Sequence, residues 1–270
     1  MSGPLLTINN LCVAYGASAQ AQIVKDVSFT LEGGKTIAII GESGAGKTTL
    51  ALAIAGLLGR TAAFDGQVIF DGVNLLELSE EAMCGIRGSG IGMIFQDPRG
   101  SLDPSMRVVD QVAEPLRLHQ GLKLKEARGQ ARRLLADVNI SDEVIAVAPH
   151  AYQLSGGLCQ RVMIAAALAC NPRLLIADEP TSSLDLTLQA QIIELLRERQ
   201  KASGLGVIFI THDLALVSKI ADRIIVMHEG AIVEQGSVDA VIDNPADPYT
   251  AGLVSVWTSG GREGEGIASA

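Results

Sequence analysis

The sequence predicts an α/β protein in which a parallel sheet, buried on both faces, is joined to an antiparallel layer formed early in the chain. Three observations carry this. Thr36–Ile40, Leu174–Ala177 and Gly206–Ile210 are continuous apolar runs, the pattern of parallel strands covered on both sides. Each ends in a polar or glycine-rich edge, and helical periodicity follows. Before them, Val27, Phe29 and Leu31 alternate with polar neighbours, as a half-exposed antiparallel strand should.

The most specific stretch lies between the first apolar run and Leu50–Leu58. Gly41, Glu42, Ser43, Gly44, Ala45, Gly46, Lys47 and Thr48 fit the phosphate-loop pattern G-x-x-x-x-G-K-[ST] at every fixed position, in a strand–loop–helix context. The glycines permit positive φ and close approach to an anion. The loop N–H groups then form a nest at the positive end of the following helix. One helix terminus contributes only about 0.3–1 kcal/mol toward an anion. Charge-assisted hydrogen bonds contribute roughly 1.5–3 kcal/mol each, so the loop N–H groups and the Lys47 ammonium dominate. Thr48 offers a hydroxyl to Mg²⁺. A chance glycine-rich turn would not carry both flanking elements.

The 270 residues suffice for one large domain or one domain with a subdomain, and 48% hydrophobic with 19% charged residues is ordinary globular composition. With 21 basic and 30 acidic residues, the net charge of −9 disfavours non-specific nucleic-acid binding. No apolar run nears the ~20 residues that cross a bilayer; Val162–Cys170 is among the longest. Met1–Ile8 lacks the basic start and apolar stretch of a secretory signal, so a cytoplasmic protein is expected, free or docked on a membrane partner. Cys12, Cys84, Cys159 and Cys170 are too scattered for a C-x-x-C metal site and are expected to be reduced, buried filler.

In chain order, residues 5–15 and 26–31 carry β signals, and Gly33-Gly34 turns the chain into the strand before the phosphate loop. Tyr15 suits stacking on an adenine ring or an ordinary core or surface place, and position alone does not choose. Gln67–Phe70 followed by Asp71-Gly72 reads as a strand ending in a tight turn. Gly88, Gly90 and Gly92 resemble the glycine pattern of a dinucleotide turn, but the run Ile91–Phe95 behind them is strand-like, which excludes that reading. Gln96 ends the run. The proline-punctuated segment Asp97–Pro104 suits a mobile contact loop. Residues 107–145 have helical period, with Glu126, Arg128, Arg132 and Arg133 as a solvated charged face; an RNA surface there conflicts with the net charge.

Leu154-Ser155-Gly156-Gly157 opens a second helix, which is either an ordinary cap or a second anion site. The strand from Arg173 ends in Asp178-Glu179, where ligands bind in parallel sheets, and the phosphate loop is expected at the same edge. A helix with Leu188, Ile192 and Leu195 on one face follows. The next strand delivers Thr211-His212-Asp213 to that edge, so His212 reads as functional rather than as a cap or core histidine. His119, His150 and His228 lack such a setting. Arg223–Met227 gives a last core strand and Ala231–Gly236 an edge strand; residues 258–270, small and polar, read as a disordered tail.

These motifs, in this order and with Ser183-Leu184-Asp185 between Glu179 and His212, resemble the ATP-binding subunit of an ABC transporter over residues 5–257. Gln96-Asp97-Pro98, Ser101–Pro104, Arg161–Ala165, Asn244-Pro245 and Pro248-Tyr249-Thr250 resemble the subgroup serving dipeptide, oligopeptide and nickel importers. The resemblance implies a RecA-like P-loop NTPase core with an antiparallel β subdomain and a helical subdomain inserted at roughly 98–165. It implies that Tyr15 stacks on adenine and that Gly41 to Thr49 hold the phosphates of ATP. Thr48 and Gln96 would coordinate Mg²⁺, and Asp178 would hold a metal-bound water. Glu179 would polarise the attacking water and His212 hydrogen-bond the γ-phosphate. Ser155, Gly156 and Gly157 would cap an ATP on a second, often non-identical, ATPase subunit. The partners implied are that subunit, two membrane permease subunits and, indirectly, a substrate-binding protein, with the chain peripheral on the cytoplasmic face of the plasma membrane.

The sequence departs from the family at Leu158, often Gln or Met, and at Cys159, where a basic residue is common; a change of Cys159 to Arg is expected to matter little. No cysteine follows Cys170, so the iron–sulfur site of some subgroup members is not expected. Two alternatives stand: a non-transport or exporter ABC-type ATPase, and a nucleotide-binding regulator without hydrolysis. The hundred-residue spacing between loop and signature weighs against a repair-type coiled coil, and the intact Asp178-Glu179 and His212 weigh against lost hydrolysis.

Overall fold

The computed structural model describes residues 3–15, 21–59 and 61–260. In chain order its elements begin with β1 (Leu6–Tyr15), β2 (Ala21–Leu31), β3 (Thr36–Ile40), α1 (Lys47–Ile54), β4 (Ala62–Phe70) and β5 (Val73–Asn74). There follow α2 (Glu80–Ile86), β6 (Ile91–Ile94), α3 (Val108–Gln120), α4 (Leu124–Asp137), α5 (Asp142–Val147) and α6 (Gly156–Ala167). Next come β7 (Leu174–Asp178), α7 (Leu186–Ser203), β8 (Gly206–Ile210) and α8 (Leu214–Ile220). The last are β9 (Arg223–His228), β10 (Ala231–Ser237), α9 (Val238–Asp243) and α10 (Pro248–Gly260). The chain divides into two compact units, one built mainly from Glu77–Ile208 and the other from Leu6–Leu31, Thr36–Leu76 and Phe209 onward.

The second of these units holds the antiparallel sheet, in the order β2-β1-β4-β5. Leu6 pairs with Leu31 on one side and Phe70 on the other, and Ile8 with Phe29 and Val68, so one face of three strands buries its apolar residues together. β2 starts at Ala21, earlier than the alternation at Val27–Leu31 indicates. The same unit carries the order β10-β9-β3-β8, with β3 parallel to β9 and β9 antiparallel to β10. All five residues of β3 are buried, as its unbroken apolarity requires. Ala38, Ile40, Val217, Ile224, Val226 and Val241 form a core against which Tyr249, Leu253 and Trp257 of α10 pack. That spacing of four residues is one face of a helix. α10 runs to Gly260, so the tail expected from residue 258 is helical at its start; residues 261–270 lie outside the described residues.

The first unit holds the order β8-β7-β6, with β6 and β7 parallel in the register Ile91↔Leu174 to Ile94↔Ala177. Helix α6 packs on β6, and there Gly92 is required, because a side chain would strike the carbonyl oxygen of Ala167. The glycines before β6 therefore serve a turn and a close helix contact. Helices α3, α4 and α6 pack on one another. Ala127, Ala131 and Leu135 of α4 are buried at a spacing of four.

One expectation for this unit gains a detail, and that of buried cysteines along the chain is corrected. The charged face of α4 is solvated and is also paired: Arg128 grips Asp110 of α3 through Nε (2.5 Å) and Nη2 (2.8 Å), and Arg132 Nε reaches Asp142 of α5 at 2.9 Å, with both arginine side chains still substantially exposed. The cleft of about 600 Å³ that these pairs line contains none of the predicted site residues. Among the cysteines only Cys159 is fully buried. Cys12 and Cys170 are half-buried and Cys84 is exposed, because it lies on the outer side of the short helix α2.

Candidate active site

In the unit containing β3, the loop Gly41–Gly46 leaves the carboxyl end of that strand and enters α1. Gly41, Gly44 and Gly46 all have positive φ, at 149°, 84° and 94°. Gly46 is also sterically fixed: a Cβ there would lie 2.7 Å from the carbonyl oxygen of Ile23. The loop is tied from the β9–β10 turn, where the Gly230 N–H donates to the Ala45 carbonyl at 3.1 Å. Lys47 Nζ folds back on the loop, donating to the carbonyls of Gly41 (2.8 Å) and Glu42 (2.7 Å). Its ammonium is thereby held over the loop mouth. Ser43 and Thr48 are exposed and Thr49 is half-buried.

Tyr15, half-buried, ends β1 and faces Ala62 and Ala21 in the register of its neighbours; the segment 16–20 lies outside the described residues. His212 follows β8 and is exposed. It is neither cap nor core. Asp213 is the cap of α8, accepting from Ala215 N–H (2.8 Å) and Leu216 N–H (3.3 Å), and Thr211 on the other side is buried.

In the unit containing β7, the parallel register carries β6 and β7 to one carboxyl edge. Past the last pair, Ile94↔Ala177, lie Phe95 and Gln96 on one strand and Asp178 and Glu179 on the other. Asp178 is buried and Glu179 half-buried. Glu179 has φ 49°, a left-handed conformation uncommon for a residue with a long side chain, and its carbonyl accepts from Ser182 Oγ at 3.1 Å. Such strain is of order 1–3 kcal/mol and concentrates at functional positions.

Ser155 is exposed and caps α6, its hydroxyl accepting from Leu158 N–H at 3.3 Å. Gly156 and Gly157 are half-buried, and a Cβ on Gly157 would stand 3.0 Å from the Ser183 carbonyl, so the glycine start of α6 lies against the loop before α7. Asp185 of that loop caps α7 through Leu188 N–H at 3.0 Å. Two residues without an assigned role in the sequence hold this corner. Arg161 Nη1 donates to the carbonyls of Asn139 (2.7 Å) and Val138 (3.3 Å), closing the end of α4 onto α6. Burial pushes the Arg161 pKa down and Asp185 opposes it. Arg99, after Gln96, donates to the Leu154 carbonyl at 3.4 Å.

A glycine loop with a lysine over its mouth, leading from a buried parallel strand into a helix, defines a phosphate-loop nucleotide-binding protein. A family model described as ABC transporter matches residues 24–182. A putative peptide import ATP-binding protein of Brucella melitensis biotype 1 is 45% identical over 259 residues, 93% of this chain and 77% of that protein. The oligopeptide transport ATP-binding protein OppD of Bacillus subtilis strain 168 is 45% identical over 256 residues, covering 93% and 71% of the two chains. Among solved structures, a dimeric post-hydrolysis ATP-binding cassette bound to ADP and phosphate superposes with a TM-score of 0.77 at 30% identity, over 86% of this chain and 98% of that one. The cbiO1 protein of Clostridium perfringens, part of the cbiONQ transporter complex, gives 0.73 at 30% identity, over 89% and 91%.

The chain belongs to the ABC transporter family, as an ATP-binding subunit whose ATP hydrolysis is coupled to transport. The RecA-like fold expected from the resemblance is the fold of these neighbours. No helix among the described residues is long and apolar enough to cross a membrane.

Proposed function

We infer that the chain energises an importer of peptides. The reading is carried by the peptide and oligopeptide import proteins at 45% identity over nine-tenths of the chain. Another relative at 44% identity is the glutathione import protein GsiA of Escherichia coli O6:H1, of which the chain spans 42%. Glutathione is itself a small peptide.

The phosphate loop fits a magnesium nucleotide: a lysine ammonium on glycine-rich backbone and an exposed hydroxyl on Thr48. In this reading Gly41–Thr49 bind the phosphates and Tyr15 stacks on adenine. Thr48, Gln96 and Asp178 would hold Mg²⁺, which supplies charge neutralisation on the phosphates. Glu179 orients and deprotonates the attacking water, and His212 donates to the terminal phosphate. The chain's contribution is positioning and electrostatics, as phosphoryl transfer demands.

Ser155, exposed at the start of α6 with Gly156 and Gly157, caps the nucleotide of a second ATPase subunit. One chain then holds half of each site. Segment 98–165 serves as the helical subdomain, and the loop after Gln96 meets a permease subunit at the cytoplasmic face of the membrane.

The test is co-expression with the permease subunits encoded beside the chain, followed by ATP hydrolysis in proteoliposomes. Stimulation by a binding protein loaded with peptide supports the reading. Stimulation by nickel and not by peptide reassigns the cargo, and hydrolysis independent of any permease removes the transport role.

A further inference from the structure

The C-terminal helix reaches the phosphate loop. The Glu42 N–H donates to the phenol oxygen of Tyr249 at 3.1 Å, across 207 residues of sequence. The same peptide unit presents its other end, the Gly41 carbonyl, to Lys47 Nζ at 2.8 Å. A peptide group is planar, with its N–H and C=O on opposite sides. One rigid plate is therefore held by Tyr249 on one edge and by Lys47 on the other. Rotating the plate off the phenol turns the carbonyl away from the ammonium.

Tyr249 is itself firmly placed. Its ring lies 3.9 Å from that of His228, at the end of β9, and packs on the core beneath β3 and β9. The Asp247 carboxylate caps the start of α10, accepting from Tyr249 N–H at 2.8 Å. Glu234 of β10 fixes the preceding turn, accepting from Ala246 N–H (2.9 Å) and Asp247 N–H (3.1 Å). The line from Glu234 through Asp247 to Tyr249 ends on the Gly41–Glu42 peptide.

We propose that Tyr249 is a positioning residue for nucleotide binding: its hydroxyl sets the Gly41–Glu42 peptide and, through it, the place of the Lys47 ammonium. It touches no phosphate. It removes a rotation that the loop would otherwise lose on binding, and such preorganisation appears as affinity. The inference rests on the reading of Lys47 as a phosphate ligand.

The test uses the full-length chain, magnesium ATP titrated by calorimetry, and thermal melting. Tyr249→Phe keeps the ring on His228 and on the core and deletes the hydroxyl alone. It is expected to melt with the parent and to bind ATP about two- to tenfold more weakly, the effect of one neutral hydrogen bond. Combined with Lys47→Ala, it is expected to add nothing to the loss from Lys47→Ala alone. Parent-like affinity in Tyr249→Phe overturns the proposal. So does a loss that accompanies a lowered melting temperature, or one that adds in full to that of Lys47→Ala. If Lys47→Ala alone binds ATP as the parent does, the phosphate-loop reading fails first, and this outcome is distinguishable from the others.

Discussion

The thiol of Cys159 donates to the carbonyl oxygen of Ala151 at 3.5 Å, and no part of the cysteine reaches solvent. The position is thus interior, although it stands where relatives often carry a basic residue. Burial pushes the thiol pKa up, and Arg99 opposes this more weakly. An arginine at 159 would have to bury a charge or break the contact between α6 and the segment before it. The small effect expected from sequence concerned hydrolysis; the burial bears on stability. Cys159→Arg is expected to destabilise the chain by about 3 kcal/mol in urea denaturation.

The same burial predicts chemical inertness. Thiol alkylation of the native chain at about pH 8, near the ordinary cysteine pKa, is expected to label exposed Cys84 rapidly and Cys159 only after unfolding. Peptide mapping by mass spectrometry reads both sites in one experiment.

Glu179→Gln preserves shape and removes the carboxylate proposed as the base. ATP binding is expected to persist while hydrolysis falls by about 10²-fold or more, the usual range for a lost general base. A nucleotide-bound dimer should then accumulate in size-exclusion chromatography with ATP. Hydrolysis at the parent rate would remove Glu179 from that role.

Lys47→Ala deletes the ammonium that lies on the Gly41 and Glu42 carbonyls. Loss of a charge-assisted contact to phosphate is expected to weaken ATP binding by about 10- to 100-fold in calorimetry. Unchanged affinity would exclude Lys47 as a phosphate ligand.

Asp110 and Arg128 give a pH prediction. The Arg128 guanidinium hydrogen-bonds the Asp110 carboxylate and holds its pKa below the usual value. A depressed folded-state pKa contributes stability above the unfolded pKa of roughly 3.9 and loses it as pH falls through the lower folded value. The stability advantage of the parent over Asp110→Asn should therefore be present at about pH 6 and shrink toward about pH 3. High salt should also reduce it, since Arg128 is substantially solvated.

Much of this was legible because it is local. The phosphate loop, the Ser155 cap and the strand ending in Asp178-Glu179 each lie within about ten consecutive residues, where periodicity and glycine spacing are informative. What stayed hidden depends on distant partners. The pairing of Arg128 with Asp110 stays invisible until α3 is folded against α4. Cys159 reads as a departure from pattern until the fold buries it with its thiol on the Ala151 carbonyl. Tyr249 reads only as part of a Pro-Tyr-Thr mark, because its partner is 207 residues away. The extension of α10 to Gly260 is equally invisible in a small, polar segment.

The backbone at Glu179 has a consequence for engineering. Asn10, Asp26, Asp71, Asn139 and Asn171 also take left-handed φ, and their short amides and carboxylates suit it; Glu179 at 49° and Glu229 at 46°, in the β9–β10 turn, have longer side chains that do not. Glycine or asparagine there would relax the chain and raise its melting point while discarding the carboxylate. A thermostability screen run without an activity check would therefore select for replacement at this position and, with Glu179 as the proposed base, would reward a sturdier protein that no longer turns over.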